Sequence, residues 1–261
     1  MGSHWFVVPR PNPDARIRLF CFPYAGGGVG TYIEWHRTLH PLLELVAVQS
    51  PGRGQRRGEA PHRTMDALLA DLWPQFLPML DRPYFLFGHS MGSRVAHALA
   101  SRLRDAGKRM PTHFIASGSR APHLAPRERN TYDLPDAEFV ETLRELNGTP
   151  EEVLGNPELM ELLMPLLRAD FEIAERYHAD RDIPFGCGAY ILGGTADAHV
   201  LQDDLNAWQA HFHRPVQVQM CEGGHLFIEQ SPATVIAVIN GLVNRYLGSG
   251  AGLPPGRFAP R

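Results

Sequence analysis

The sequence predicts an α/β fold, a mostly parallel central sheet with helices on both faces and a helical insertion before the last two strands. Two observations carry this prediction. Short apolar, β-branched or aromatic runs alternate along the chain with segments of helical spacing, and right-handed crossovers between such strands build a parallel sheet covered on both sides. Strands are expected at residues 5–8, 16–24, 45–48, 84–87, 113–117, 189–192 and 216–220, the first two separated by a turn marked by Pro9, Pro11 and Pro13. Helical spacing covers residues 32–40, 65–80, 91–106, 203–212 and 233–246. Pro74 and Pro78 remove backbone donors from the second of these, which predicts a kink or a split there.

One stretch breaks the alternation. Residues 127–181 hold no credible strand but three helical patches, at 136–146, 157–167 and 169–178. The chain then divides into a core of residues 1–126 and 182–247, a helical insertion of residues 127–181, and a Gly- and Pro-rich tail of residues 248–261 expected to be disordered. Within the insertion, Leu159, Met160, Leu162, Leu163, Met164, Leu166 and Leu167 put apolar side chains nearly all round one helix. That pattern fits a helix buried in the domain. It also fits a lid whose inner face lines an apolar chamber, with Leu163 and Met164 as chamber residues.

Composition narrows the function. With 261 residues the chain is long enough for a sizeable core. Lys+Arg 25 against Asp+Glu 28 leaves a net charge of −3, without the basic excess that nucleic-acid binders use, so no nucleic-acid partner is expected. Apolar runs such as residues 235–239 stop far short of the roughly 20 residues a bilayer requires, and the start of the chain lacks a signal-peptide layout; the expected location is cytoplasmic, away from membranes. Cys21, Cys187 and Cys221, an odd number in three apolar segments, read as reduced buried thiols.

The chemistry is concentrated at Gly88-His89-Ser90-Met91-Gly92, a G-x-S-x-G motif between an expected strand and an expected helix. A serine on that turn is pushed out at the carboxyl edge of the sheet, with flanking glycines because a Cβ would meet neighbouring backbone. Ser90 is therefore the candidate nucleophile. A serine hydroxyl needs a base, and the base a carboxylate to orient it. Of the 13 histidines, His225 follows Gly223-Gly224 in a loop after a late strand, whereas His211 and His213 resemble the end of a solvated helix. Asp197, at the carboxyl end of the strand that runs into Gly193-Gly194, is the candidate acid; Asp203 and Asp204 remain alternatives that also fit a helix start. The Met91 amide supplies one oxyanion donor, and the loop from Phe22 to Gly28 the second. Its three glycines lack the spacings of phosphate-binding loops. Cys221 is a further thiol nucleophile on paper, within an apolar strand.

Taken as a set, Leu19-Phe20-Cys21-Phe22-Pro23-Tyr24-Ala25-Gly26-Gly27, Pro51-Gly52-Arg53-Gly54, the serine motif, Leu167-Arg168-Ala169-Asp170-Phe171, Gly193-Gly194 with Asp197, and Gly223-Gly224-His225 resemble the type II thioesterases. These are free-standing editing hydrolases of polyketide and nonribosomal peptide assembly lines, on the α/β-hydrolase fold. The resemblance spans nearly the whole chain. It implies Ala25 as the second oxyanion donor, a helical lid over an acyl chamber, and release of stalled acyl groups from the phosphopantetheine arm of acyl or peptidyl carrier proteins. No cofactor or metal of the chain's own is implied. Arg53, Arg56 and Arg57 are a candidate docking cluster for an acidic carrier, or else a solvated loop. A carboxylesterase or lipase, or an acyltransferase, would use the same triad, and a non-catalytic receptor on this fold would be expected to lose part of it.

Overall fold

Seven strands, β1 (Phe6–Val7), β2 (Ile17–Phe22), β3 (Leu43–Val48), β4 (Tyr84–His89), β5 (His113–Ser117), β6 (Gly188–Gly194) and β7 (Gln217–Cys221), form one sheet in the order β1-β3-β2-β4-β5-β6-β7 in the computed structural model, which describes residues 4–127, 130–146, 148–180 and 183–249. β1 runs antiparallel to β3, and every other pairing is parallel. All six residues of β2, of β3 and of β4 are buried, which is why these strands read as continuous apolar runs rather than as alternating ones.

The helices are α1 (Gly30–Ile33), α2 (Met65–Phe76), α3 (Met91–Asp105), α4 (Asp136–Glu145), α5 (Glu151–Leu154), α6 (Pro157–Arg176), α7 (Gln202–Asn206), α8 (Phe227–Gln230) and α9 (Pro232–Gly248). Leu72 and Phe76 of α2 and Leu99 and Leu103 of α3 pack on one face of the sheet, against Phe20, Leu86 and Phe114. Tyr32, Trp35 and the α9 side chains Val235, Ile239 and Leu242 cover the other, against Leu19, Phe85 and Phe87. The insertion helices α4 to α6 lie between β5 and β6 in the chain and carry a small cluster of their own around Phe139, Leu143 and Leu167.

Several expected helices take a different form. Residues 32–40 fold as α1 followed by a 3₁₀ turn at Glu34–Arg37, and residues 203–212 as α7 and a 3₁₀ turn at Ala207–His211. In each case the tighter winding carries a tryptophan, Trp35 or Trp208, into the core, and the Trp208 indole donates to the Ser119 carbonyl at 2.8 Å. α2 passes through Pro74 and gives way to a 3₁₀ turn at Leu77–Met79, with Pro78 in its first turn. The patches at 157–167 and 169–178 are one 20-residue helix, α6, whose Asn156 cap accepts from the Glu158 and Leu159 amides. α9 runs to Gly248, two residues beyond the expected end, and residues 250–261 of the expected tail lie outside the described residues. No helix among the described residues is long and apolar enough to cross a membrane. Cys21, Cys187 and Cys221 are all free and buried, and burial pushes each thiol upward, Cys187 to about 12.

Two of the buried histidines, His89 and His97, are held neutral by their surroundings. Burial, reinforced by the neighbouring His225, lowers His89 to about 3, and burial with the adjacent His211 holds His97 well below the ordinary imidazole range. Both are therefore neutral in the folded state, while the unfolded chain takes up protons at these positions below about pH 6.5. The unfolded state binds more protons in that window, so stability is complete above it and is lost as the pH falls. Thermal melts should show a midpoint constant from pH 8 to 7 and falling below about 6.5, with a slope of up to about 1.4 kcal/mol per pH unit for each histidine. An acid branch that begins only near pH 4, where carboxylates titrate, would contradict this reading.

Candidate active site

β4 ends in the tight turn that carries Ser90. The serine has φ 51° and ψ −116°, and among the described residues it is the only non-glycine residue with positive φ. The turn closes so tightly that a Cβ on Gly88 would strike the Gly92 carbonyl and one on Gly92 would strike the Phe22 carbonyl. α3 thus begins against the end of β2, and Ser90 is lifted to the sheet's carboxyl edge.

There the structure brings Ser90, His225 and Asp197 together. His225 Nε2 lies 3.0 Å from Ser90 Oγ, and His225 Nδ1 lies 2.8 Å from Asp197 Oδ2. With Nδ1–H donated to the carboxylate, Nε2 is left to accept the serine proton. Asp197 is buried. Burial alone would raise its carboxyl, but the hydrogen bond and charge of His225, with the His199 and Val200 amides donating to Oδ1 at 2.9 and 3.1 Å, hold it below its ordinary value.

His89, the second residue of the motif, plays a part that the sequence reading missed. Its Nε2–H donates to the His225 carbonyl at 2.9 Å, which leaves Nδ1 to accept from the Ser117 hydroxyl at 2.8 Å. A completely buried imidazole therefore holds the backbone of the loop that carries His225. The motif gave only the serine's place; the bond to His225 joins residues 136 apart in the chain.

The rival candidates lie elsewhere. Asp203 and Asp204 occupy the first turn of α7, as a helix start would place them, but Asp204 is buried and accepts from Arg120 at 3.1 Å, Arg127 at 2.8 Å and the Leu201 amide at 2.9 Å. His211 is not solvated as expected. It is buried between His97 and His123, at 3.1 and 2.8 Å, while His213 is exposed. Cys221 is buried with its thiol raised, unsuited to thiolate chemistry.

Met91 and Ala25 both line the cavity at Ser90. Met91 is the first residue of α3, where the helix itself leaves amides unpaired. In the Ala25 turn the two following amides are committed, Gly26 N–H to Asp170 at 2.8 Å and Gly27 N–H to the Tyr24 carbonyl at 2.9 Å. Asp170, on α6, also takes Arg53 at 2.7 Å, and Arg53 donates to the Gly27 carbonyl at 2.8 Å. Both side chains are buried. Arg53 is thus no docking residue. Arg56 is buried as well, paired with Glu59 and Asp71 and lying 4.6 Å over the Trp5 ring; of the expected cluster, Arg57 alone is exposed.

The cavity at Ser90 measures about 450 Å³. Apolar side chains from the insertion, among them Leu134, Leu143, Leu167 and Phe171, line much of it. Leu163 and Met164 do not. Leu163 packs into the small cluster around Phe139, and Met164 faces a separate pocket with Val140 and Leu154. The apolar run predicted a helix near the serine, but the portion that reaches the chamber lies further along, where Leu167 packs against Gly26 and Asp170 fixes the helix to the glycine turn.

Two expectations follow. Asp197→Asn should keep the melting temperature within a few degrees and lower turnover by up to roughly 10⁴-fold by disorienting His225, whereas Asp204→Asn should lower the melting temperature and spare turnover; paired melts and kinetics check both. Leu167→Trp should depress specificity constants for long acyl chains more than for acetyl, whereas Met164→Trp should leave the chain-length profile unchanged, as measured over a series of acyl-pantetheine thioesters.

A family model described as a thioesterase domain matches residues 17–242. The chain is 38% identical over 248 residues to "Linear gramicidin dehydrogenase LgrE" of Brevibacillus parabrevis, covering 94% of each chain. It is 36% identical over 234 residues to "Gramicidin S biosynthesis protein GrsT" of Aneurinibacillus migulanus, covering 90% of this chain and 91% of that one. Its structure is similar to that of the type II thioesterase BorB from the borrelidin biosynthetic cluster, with TM-score 0.82 and 32% identity over 92% of this chain and 98% of the other. Since the matched span takes in the strand-to-helix turn at Ser90 and both loops that meet it, the chain belongs to the thioesterase family, hydrolases that act on thioesters.

Proposed function

We propose that this protein removes acyl groups from the phosphopantetheine arms of carrier proteins in nonribosomal peptide or polyketide assembly, as an editing enzyme. The observation that carries this reading is the Ser90–His225–Asp197 chain, with contacts of 3.0 and 2.8 Å, opening into an apolar chamber of about 450 Å³. The similarity to a type II thioesterase and to a gramicidin S biosynthesis protein supports the biosynthetic setting.

In this mechanism Ser90 Oγ attacks the thioester carbonyl as His225 Nε2 takes its proton. The oxygen that becomes negative faces the Met91 and Ala25 amides, which need no reorganisation as charge develops. Asp197 stabilises the imidazolium. Collapse breaks the carbon–sulfur bond, the thiol leaves with the proton from His225, and an acyl group remains on Ser90. Water, deprotonated by the same His225, then cleaves that ester and restores the serine. The chain's own groups complete the cycle, so the reading requires no resident cofactor or metal. The chemistry sees only the carbonyl; the chamber sees the chain.

The decisive experiment offers acyl-loaded carrier protein and simple alkyl esters of the same acyl groups, with intact-mass readout. Carrier-bound thioesters should be consumed with the higher specificity constant, and Ser90→Ala should lower turnover on the order of 10⁶-fold while remaining folded. A fluorophosphonate should label Ser90. Preference for the oxygen esters would return the carboxylesterase reading, and transfer to an alcohol or amine in place of water the acyltransferase reading.

A further inference from the structure

Arg94 lies one helical turn beyond Ser90 on α3, a rise of about 6 Å along the axis, and lines the same chamber. Three arginines line this space, and two of them share one carboxylate. Arg120 and Arg127 both bind the carboxylate of Asp204. Arg94 has no carboxylate partner among the described residues; its Nη1 donates to the Tyr177 carbonyl, at the end of α6, at 3.0 Å. Glu145 and Glu175 also line the chamber, and the charge of Glu175 acts on Arg94, but no ion pair joins them; the Glu175 oxygens accept from the Thr131 hydroxyl, from the Thr131 amide at 2.7 Å and from the Tyr132 amide at 3.5 Å. The Nε and Nη2 nitrogens of Arg94 take no hydrogen bond among the described residues and are not sealed off, and the residue lines the chamber. That edge of a guanidinium matches the two oxygens of a carboxylate. Burial, with the like charge of Arg120 nearby, lowers Arg94 to about 10, so it still enters the site as a cation at neutral pH.

We propose that Arg94 is a specificity residue, which makes the chamber select acyl groups carrying a carboxylate a few atoms from the thioester carbonyl. This rests on the acyl-chamber reading above and goes beyond it by naming a substrate class. The apolar part of the chamber rewards any hydrocarbon of the right length, whereas a guanidinium edge that meets no acceptor is left poorly solvated unless the acyl group supplies an oxygen.

The test uses three pantetheine thioesters of matched shape: glutaryl, with a terminal carboxylate; 5-oxohexanoyl, with a neutral carbonyl; and 5-methylhexanoyl, their hydrocarbon isostere. All rates are corrected for spontaneous hydrolysis. In Arg94→Met the ratio of kcat/KM for glutaryl over 5-methylhexanoyl should fall about ten- to hundred-fold relative to wild type, as expected for losing a charged hydrogen bond. Arg94→Lys should fall between the two. In the wild type, free glutarate should inhibit competitively at lower concentration than 5-methylhexanoate, a readout that needs no variant to fold. An unchanged ratio, with all three substrates falling together and a lowered melting temperature, would make Arg94 a cap on the end of α6 and overturn the proposal. A fall confined to 5-oxohexanoyl would overturn the carboxylate assignment. If the wild type hydrolyses none of the three thioesters nor the acetyl one, it is the thioesterase reading itself that fails.

Discussion

The whole site depends on one backbone constraint, the reversal of the chain between β4 and α3. A strand ending on the sheet edge must turn into a helix that packs back over the same sheet, and here the turn is made at Ser90, with φ 51°. Holding a non-glycine residue there costs on the order of 1–3 kcal/mol. Packing on both sides offsets it: α3 buries Val95, Leu99 and Leu103 beneath the turn, and the Ser90 amide donates to the Ser117 carbonyl at 2.7 Å. Gly88 and Gly92 are glycine for a steric reason, because the helix start and the end of β2 occupy the space a Cβ would need. Everything functional is placed relative to this turn, including the serine, the Met91 amide and, one turn later, Arg94.

A second constraint joins the insertion to the loop after β2. Asp170 on α6 binds both the Gly26 amide and Arg53, and Arg53 closes the ring on the Gly27 carbonyl. A buried pair of this kind contributes little net stability, since desolvating two ions offsets most of their attraction. Arg53 Nε is left without a partner among the described residues, a further cost of about 1–3 kcal/mol. What the pair provides is position. It fixes α6 against the turn that presents Ala25, so the chamber wall is placed relative to the candidate oxyanion donor.

The sheet was legible in the sequence because parallel strands buried on both faces leave short apolar runs, and the predicted strands differ from those observed by at most two residues at either end, with 113–117 matching β5. Ser90, Asp197 and His225 were legible for a related reason: each occupies a loop at a strand's carboxyl end, and glycines mark the loops. The arginine cluster and the chamber were read less well. Arg53 and Arg56 sit in a Gly-rich, polar loop that looks solvated, and only their partners Asp170, Glu59 and Asp71 show them to be internal. Leu163 and Met164 lie in the most apolar part of α6, yet the chamber is walled further along by Leu167 and Phe171. Periodicity reports that a helix has a buried face; it carries no information about which turn of that face meets a cavity and which meets another helix. His89 escaped notice for a similar reason, since its partner is a backbone carbonyl far along the chain.

Electrostatically, the site separates two tasks. Near the serine, a single buried carboxylate is kept charged by backbone amides and one imidazole, so its orienting role does not depend on any exposed cation. Further into the chamber the balance is reversed, with three arginines against Asp204, which Arg120 and Arg127 share, and Glu175, held by Thr131 and Tyr132. The two regions meet along α3. A helix that begins beside the reacting carbonyl and carries a cation one turn later imposes a fixed offset between the bond to be broken and any charge the acyl group bears. Because α3 is packed along the sheet through Val95, Leu99 and Leu103, selection by that offset would be set by a helix of the core rather than by a surface loop.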